Sequence, residues 1–168
     1  MTTLEQSIEK YNSELNDDLK AMLIASEFED IEDDKKWIFL LQLIQQRDTY
    51  DLVKINVYKM IELADFSSFG LEKVKNEVLV ALNDEEDELV RQWGFISLMN
   101  NFSHFHDVLD LCMHTVENIT EDLDLRHCAY GVIKKSKDME KIKSFYERLL
   151  QVEEFKKYAE RFYAEINK

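Results

Sequence analysis

The chain has 168 residues, with no proline and only three glycines, and it carries 35 acidic residues against 21 basic ones, a formal net charge of −14. Sheets need turn residues, which are scarce here, so the composition favours an all-α fold. The acid excess argues against binding to nucleic acid or to an anionic membrane, because phosphate contacts need clustered lysine and arginine.

Apolar residues recur every three or four positions along almost the whole chain, which is the pattern of amphipathic helices. The first run extends from Leu4 to Met22, with a candidate break at Asn16, Asp17 and Asp18. Together with the later runs, this pattern predicts about nine helices. The later predicted helices begin near Asp34 and after Asp51, and then cover residues 71–82, 87–100, 105–116, 123–135, 139–150 and 152–166.

The links between these helices are short, so consecutive helices are expected to pack antiparallel. The length predicts one domain over residues 1–168, with an acidic helical cap at 1–33 and helix-pair repeats at 34–166. No apolar stretch is long enough to span a membrane, and the first residues lack the pattern of a signal peptide. We therefore expect a cytoplasmic protein, monomeric when free, whose Cys112 and Cys128 are reduced thiols.

A short motif recurs along the predicted repeats. It consists of an acid, an aliphatic residue three positions later, a base directly after that, and a small residue three positions after the base. Looser copies surround Lys54 and Lys156. A period of about 35 residues with two helices per unit indicates a helical solenoid. The two clearest copies contain Asp87, Arg91 and Gly94, and then Asp122, Arg126 and Ala129.

With this motif the chain resembles a HEAT-repeat protein, on the segments DELVRQWGFISL and DLDLRHCAYGVI and, more loosely, DLVKINVYKMI. The resemblance implies a short α-solenoid of stacked antiparallel helix pairs. Tyr50 stands at the acid position of the looser first copy. The resemblance also implies a ladder between repeats that is formed by Asp87, Arg91, Asp122 and Arg126.

The sequence contains no recognisable catalytic or cofactor-binding motif. Three isolated glycines cannot form a phosphate-cradling loop, and neither a nucleophile elbow nor a His-Glu-x-x-His motif is present. All four histidines and both cysteines fall between positions 104 and 128. Their spacings match no zinc motif, and residues two apart on a helix point away from each other. The sequence therefore predicts no enzyme activity, no cofactor and no metal.

Carboxylates concentrate in the links that lead from the first to the second helix of each predicted pair. In a stack of pairs these links lie at one edge, which we call the acidic edge. The links of the opposite edge read FSSFG, NNFSHF and SK, and their phenylalanines are predicted to plug the stack. Solubility and helix-dipole complementarity, about 0.3–1 kcal/mol per acid, are the competing explanation. The residues predicted to contact a partner are Asp48, Asp84, Glu85, Glu86, Glu88 and Glu121.

The leading functional interpretation is a protein-binding module that neutralises a basic protein, because strong negative charge speeds association with a cationic partner. In size, charge and helical make-up the chain resembles the immunity proteins of bacterial contact-dependent inhibition systems, which block a toxin domain, often a nuclease. The alternative is a non-catalytic helical-repeat scaffold or adaptor, whose interface is expected to be apolar and weakly dependent on salt. A HEAT-like DNA glycosylase needs a basic concave face, for which this chain lacks the bases.

Overall fold

The computed structural model describes residues 3–166, and the regular secondary structure within that range is all helical. A π-helical segment, Ile24–Phe28, continues the second helix. The composition-based prediction of an all-α chain is confirmed over this range. The α-helices are α1 (Leu4–Ser13), α2 (Asp17–Leu23), α3 (Lys36–Gln45), α4 (Asp51–Leu63), α5 (Leu71–Asp84), α6 (Glu88–Ser97), α7 (His106–Glu117), α8 (Leu123–Lys135), α9 (Met139–Leu149) and α10 (Lys156–Ile166).

The long first apolar run forms two helices, which brings the described count to ten where the sequence pattern predicts about nine. The side chain of Asn16 accepts a hydrogen bond from the Leu19 N–H at 3.0 Å and so caps a new helix. Lys36 then joins the π-helical segment to the start of α3. Its buried ammonium group donates to the carbonyl oxygens of Phe28 at 3.0 Å and of Ile31 at 2.6 Å.

Four helices, α2, α4, α6 and α8, pack side by side in that order. Contacts at two heights along each neighbouring pair show that these helices run parallel. Their N-terminal ends therefore lie together, at the edge that carries the links preceding them. The contacts that fix this orientation are Tyr50–Asp18, Asn56–Ala21, Lys54–Glu85, Asn100–Glu62, Arg91–Glu121 and Met99–Gly131.

The other helices pack onto this layer and onto each other. Helix α3 contacts α4 and α5, α7 contacts α8, and α9 contacts α10. Ion pairs also join α5 to α7 and α7 to α9, through Lys75 with Asp107 and Lys141 with Asp110. Part of the basic content of the chain is thus engaged in contacts within the fold.

Aromatic side chains fill the edge opposite to the N-terminal ends of α4, α6 and α8. Phe66 and Phe102, from the links after α4 and after α6, are buried with ring centroids 6.0 Å apart. Phe66 also meets Trp37 edge-on at 4.8 Å. Asn101 donates to the carbonyl oxygen of Ala64 at 2.9 Å and so satisfies the C-terminal end of α4. The prediction that the phenylalanines of these links plug the helix layer is confirmed for Phe66 and Phe102.

Gly94 lies where α6 packs closely against Leu82 of α5 and Tyr58 of α4. A Cβ atom at this position would lie 2.5 Å from Cδ2 of Leu82 and 3.4 Å from the ring of Tyr58, so a larger residue would have to displace buried groups. Ala129, the equivalent residue of α8, is fully buried. The requirement for a small residue three positions after the base is thus confirmed at Gly94, and Ala129 agrees with it.

Candidate protein-binding edge

Two ion pairs connect the parallel helices at their N-terminal ends. Lys54, in the first turn of α4, pairs at 2.7 Å with Glu85, which precedes α6. Their side chains are only 5% and 10% exposed. Arg91, in the first turn of α6, donates two hydrogen bonds of 2.8 Å to the carboxylate of Glu121, which precedes α8. A base of one helix therefore binds an acid that introduces the next helix of the layer.

Arg126 continues this series in α8. Its Nε donates to the carbonyl oxygen of Val116 at 2.9 Å, and its Nη1 lies 3.6 Å from the carboxylate of Glu154, ahead of α10. The guanidinium group lies over the ring of Phe155, 5.1 Å from its centroid. Arg91 and Arg126 thus each join their own helix to an acid of a later link. We refer to the pairs Lys54–Glu85, Arg91–Glu121 and Arg126–Glu154 as the ladder.

The acids of these pairs differ from those that the HEAT resemblance implies. Asp87 accepts a hydrogen bond from the Val90 N–H at 2.9 Å, and Asp122 accepts one from the Leu125 N–H at 3.0 Å. Both aspartates are N-caps, whose carboxylates satisfy free N–H groups in the first turns of their own helices. Asp87 and Asp122 are therefore corrected from ladder acids to capping residues, and Glu121 takes the expected place beside Arg91.

The predicted contact residues fall into two groups. Glu85 and Glu121 belong to the ladder and their side chains are largely buried, so they are not free to bind a partner without breaking an internal ion pair. The exposed members of the set are Asp48, Asp84, Glu86 and Glu88. The acidic edge thus combines internal ion pairs with carboxylates that face solvent.

The Arg91–Glu121 pair also changes the titration of its members. The two hydrogen bonds from Arg91 hold the pKa of the Glu121 carboxyl below its usual value, and partial burial opposes this shift without cancelling it. The same hydrogen bonds raise the pKa of Arg91. Both groups are therefore charged at neutral pH, and the pair acts as a charge-assisted bridge between α6 and α8.

The charge of the acidic edge exceeds what its helix ends can neutralise. The N-terminal ends of α4, α6 and α8 together contribute about one and a half positive charges from their macrodipoles. In the links before these three helices and in their first turns, Arg47 is the only exposed base. The exposed carboxylates of the same segments are more numerous, so their potential is strongly negative. These carboxylates belong to Asp48, Asp51, Asp84, Glu86, Asp87, Glu88 and Asp124.

A cleft of about 160 Å³ opens beside the Lys54–Glu85 pair. Arg47, Ala81, Asp84 and Glu86 are among the residues that line it. Pockets for small organic ligands are usually larger, about 300–1,000 Å³, and mostly apolar. The acidic edge is therefore better suited to contact a partner surface than to enclose a ligand.

Sequence reasoning misses two features of this edge. It does not identify Glu85, Glu121 and Glu154 as ladder acids, although each follows its base by 28 to 31 positions. It also misses the exposed leucines in the first turns of the helices, of which Leu89 and Leu52 are examples. In the sequence, such a leucine is recognisable as an apolar residue beside an acid that does not fit the spacing of the buried residues of its helix.

The histidines and cysteines between 104 and 128 do not converge in the described part of the chain, where no three His, Cys, Asp or Glu side chains are placed to hold a metal ion. Cys112 is fully buried, and burial raises the pKa of its thiol. Burial also raises the pKa of Cys128, which is half-buried. His106 lies 3.2 Å from the carboxylate of Asp138. His127 packs against the ring of Phe155.

No protein-family model, curated protein or solved structure matches this chain. Across residues 3–166, each helix is too short or too polar to cross a lipid bilayer.

Proposed function

We propose that the chain is an acidic protein-binding module that neutralises a basic protein partner. The observation that supports this most directly is the surplus of exposed carboxylates at the acidic edge, which neither the ladder nor the helix dipoles use. An excess of negative charges accelerates association with a positively charged surface and discourages binding to nucleic acid.

The architecture in this proposal is a HEAT-like solenoid, in which α4, α6 and α8 are the second helices of successive antiparallel pairs. Their parallel packing and the ladder that crosses from each to the next support this arrangement. A solenoid offers an extended binding surface and needs no catalytic centre. The module is proposed to act in the cytoplasm and to be monomeric when free.

Within this class, the immunity protein of a bacterial toxin–immunity system fits best. A toxin that cleaves nucleic acid needs a basic substrate surface, because it has to bind phosphates. A row of carboxylates can cover such a surface as a substitute for the phosphates. The proposed partner is therefore a basic toxin domain, often a nuclease, whose substrate surface meets the acidic edge.

The proposal is tested by reversing charge at the acidic edge without touching the ladder. The variant combines Asp84→Lys, Glu86→Lys and Glu88→Lys, three exposed positions around the start of α6. The partner is isolated on the immobilised chain from the native organism and identified. Its association rate is then measured against ionic strength. We expect the variant to associate about tenfold more slowly at low salt, with a weaker salt dependence than the wild type.

A matched control makes the same charge change elsewhere. Asp65→Lys, Glu72→Lys and Glu140→Lys lie at the opposite edge, in the link after α4 and in the first turns of α5 and α9. This control should keep most of the association rate. Equal rates for the wild type and the acidic-edge variant at low salt would show that the edge is only a solvated face.

A scaffold or adaptor role is the second candidate, and exposed apolar residues such as Leu89 and Ile119 favour it. An adaptor that uses these residues alone would bind through apolar contact. Its affinity would then change little with ionic strength, and both lysine variants would bind like the wild type.

A further inference from the structure

The acidic edge also carries an ordered set of apolar side chains. Each of the four parallel helices exposes one leucine within its first turn, and these leucines are between 39% and 53% exposed. Leu52 and Leu89 occupy the same position, two residues before the ladder base of their helix. We call this set the leucine row. It consists of Leu19, Leu52, Leu89 and Leu123.

These leucines do not contribute to the core in the way that their neighbours do. Val53, Val90 and Leu125, which follow in the first turns of α4, α6 and α8, are fully buried. The leucine row instead lies among the exposed acids. The surrounding links expose three further large apolar side chains, so that seven of the thirteen such residues in the described chain lie at this edge. The additional three are Leu15, Tyr50 and Ile119.

Clustered exposed apolar side chains with a polar rim mark interaction surfaces, whereas scattered single ones need no explanation. Here the rim is acidic at each helix. Asp18 adjoins Leu19, Asp51 adjoins Leu52, and the same pattern continues along the row. Leu89 is preceded by Glu88, and Leu123 is followed by Asp124. Each helix of the layer thus places one exposed leucine beside one exposed acid.

We propose that the leucine row is the docking surface for a cationic amphipathic α-helix of the basic partner, which lies across the N-terminal ends of α2, α4, α6 and α8. This inference rests on the proposed function and specifies the element of the partner that is bound. The leucines contact the apolar stripe of the docked helix. The carboxylates of the acidic edge pair with lysines or arginines on both sides of that stripe.

The spacing of the row selects a helix over a strand. Packed helices lie about 8–10 Å apart, so the helix ends that carry the row repeat at about that distance. Residues seven apart on an α-helix lie on one face and are separated by about 10.5 Å. Residues on one face of a strand are instead separated by multiples of about 6.6 Å. A helix of about 20 residues, roughly 30 Å long, spans all four ends.

The test uses a synthetic helix as the probe and the full chain as the receptor. The probe is a helix-stabilised peptide of about 22 residues with leucine at every seventh position and lysine at the flanking positions. One control peptide replaces each leucine by serine, and a second replaces each lysine by glutamate. Fluorescence anisotropy gives the Kd at low and at high salt. We expect the Kd of the probe to be lower than that of either control peptide by about tenfold or more.

Receptor variants separate the two contributions. Leu19→Asn, Leu52→Asn and Leu89→Asn together should weaken probe binding about tenfold and leave its salt dependence unchanged. The matched control, Ile38→Asn, Leu63→Asn and Met139→Asn, removes equally exposed apolar side chains away from the edge and should bind like the wild type. Because all six positions are exposed, both variants are expected to fold, which circular dichroism verifies.

The outcomes distinguish the failure of this inference from the failure of the proposed function. If the leucine variant binds like the wild type, or the serine peptide binds like the probe, the leucine row is not the docking surface. If, in that case, the Asp84, Glu86 and Glu88 lysine variant still loses probe binding, the proposal of an acidic protein-binding module is retained without the leucine row. If only the leucine variant loses binding and the lysine variant does not, the basic-partner proposal fails.

Discussion

The two edges of the α4–α6–α8 layer are tied together by different chemistry. At the edge opposite to the acidic edge, Phe66 and Phe102 are buried, and Asn101 satisfies a helix end. At the acidic edge, the Lys54–Glu85 and Arg91–Glu121 pairs make the connection and leave exposed acids and leucines around them. At the aromatic edge, nearly all of the side chains that make the connection serve stability. The ladder uses only one acid from each link, and what remains is available to a partner.

The largest effect on stability is expected at the aromatic edge. Phe102→Ala removes a fully buried ring and leaves a cavity between Phe66 and Phe105, which should lower the free energy of unfolding by about 3–5 kcal/mol. Urea unfolding followed by circular dichroism measures this loss. His104→Ala, an exposed substitution in the same link, serves as the control and should change stability by less than about 0.5 kcal/mol. A similar small loss for both variants would show that the aromatic plug does not hold this edge.

A smaller loss is expected where the ladder is broken. Glu85→Ala leaves the ammonium group of Lys54 buried without its partner, which should cost about 3 kcal/mol. Glu86→Ala, one residue further, removes an exposed carboxylate and should cost less than about 0.5 kcal/mol. Replacing both ladder residues, Lys54→Met with Glu85→Leu, should recover most of the lost stability. Equal losses for Glu85→Ala and Glu86→Ala in urea unfolding would place both acids on the solvated face.

The contrast between Glu85 and Glu86 shows where sequence reasoning ends. The apolar period locates the later helices, and α8 begins and ends where it predicts, because a helix has to bury one face. Within the run from Asp84 to Glu88, however, each carboxylate has the same intrinsic preferences. Only the position of Lys54, on a helix 31 residues earlier, selects Glu85 as its partner. This selection depends on how the helices pack, which a local pattern does not contain.

The capping aspartates show the same limit of sequence reasoning, here through a local hydrogen bond. The repeat motif places Asp87 at the right position and beside the right base, and the resemblance assigns it to the ladder. Its carboxylate instead satisfies the N–H of Val90, three residues along its own chain. A hydrogen bond that closes within one helical turn needs no tertiary contact. Capping is therefore favoured over a bridge to another helix. The exposed phase of Leu89 likewise becomes clear only once the buried face of α6 is known.

The smallest expected effect concerns the pH dependence of the ladder. Glu121 has a pKa below its usual value in the folded chain, because Arg91 donates two hydrogen bonds to its charged form. A depressed folded-state pKa stabilises the fold above the unfolded pKa, about 4.3 for glutamate, and this contribution is lost as the pH falls through the folded pKa. Glu121→Gln keeps the shape of the side chain and removes the charge. It should lower the free energy of unfolding by about 1 kcal/mol at neutral pH.

This difference should shrink as the pH falls from the ordinary pKa of glutamate through the lowered pKa of Glu121, since the wild-type carboxylate then becomes protonated as well. Urea unfolding of both proteins over that pH range measures it, and other carboxylates cancel because both chains contain them. Glu86→Gln is the control, and its difference from the wild type should stay near zero throughout, because Glu86 faces solvent. A Glu121→Gln difference that is independent of pH would mean that the charge of Glu121 does not stabilise the ladder. The contact between α6 and α8 at the acidic edge would then rest on packing alone, as at the aromatic edge, and Glu121 would not differ from the exposed acids around it.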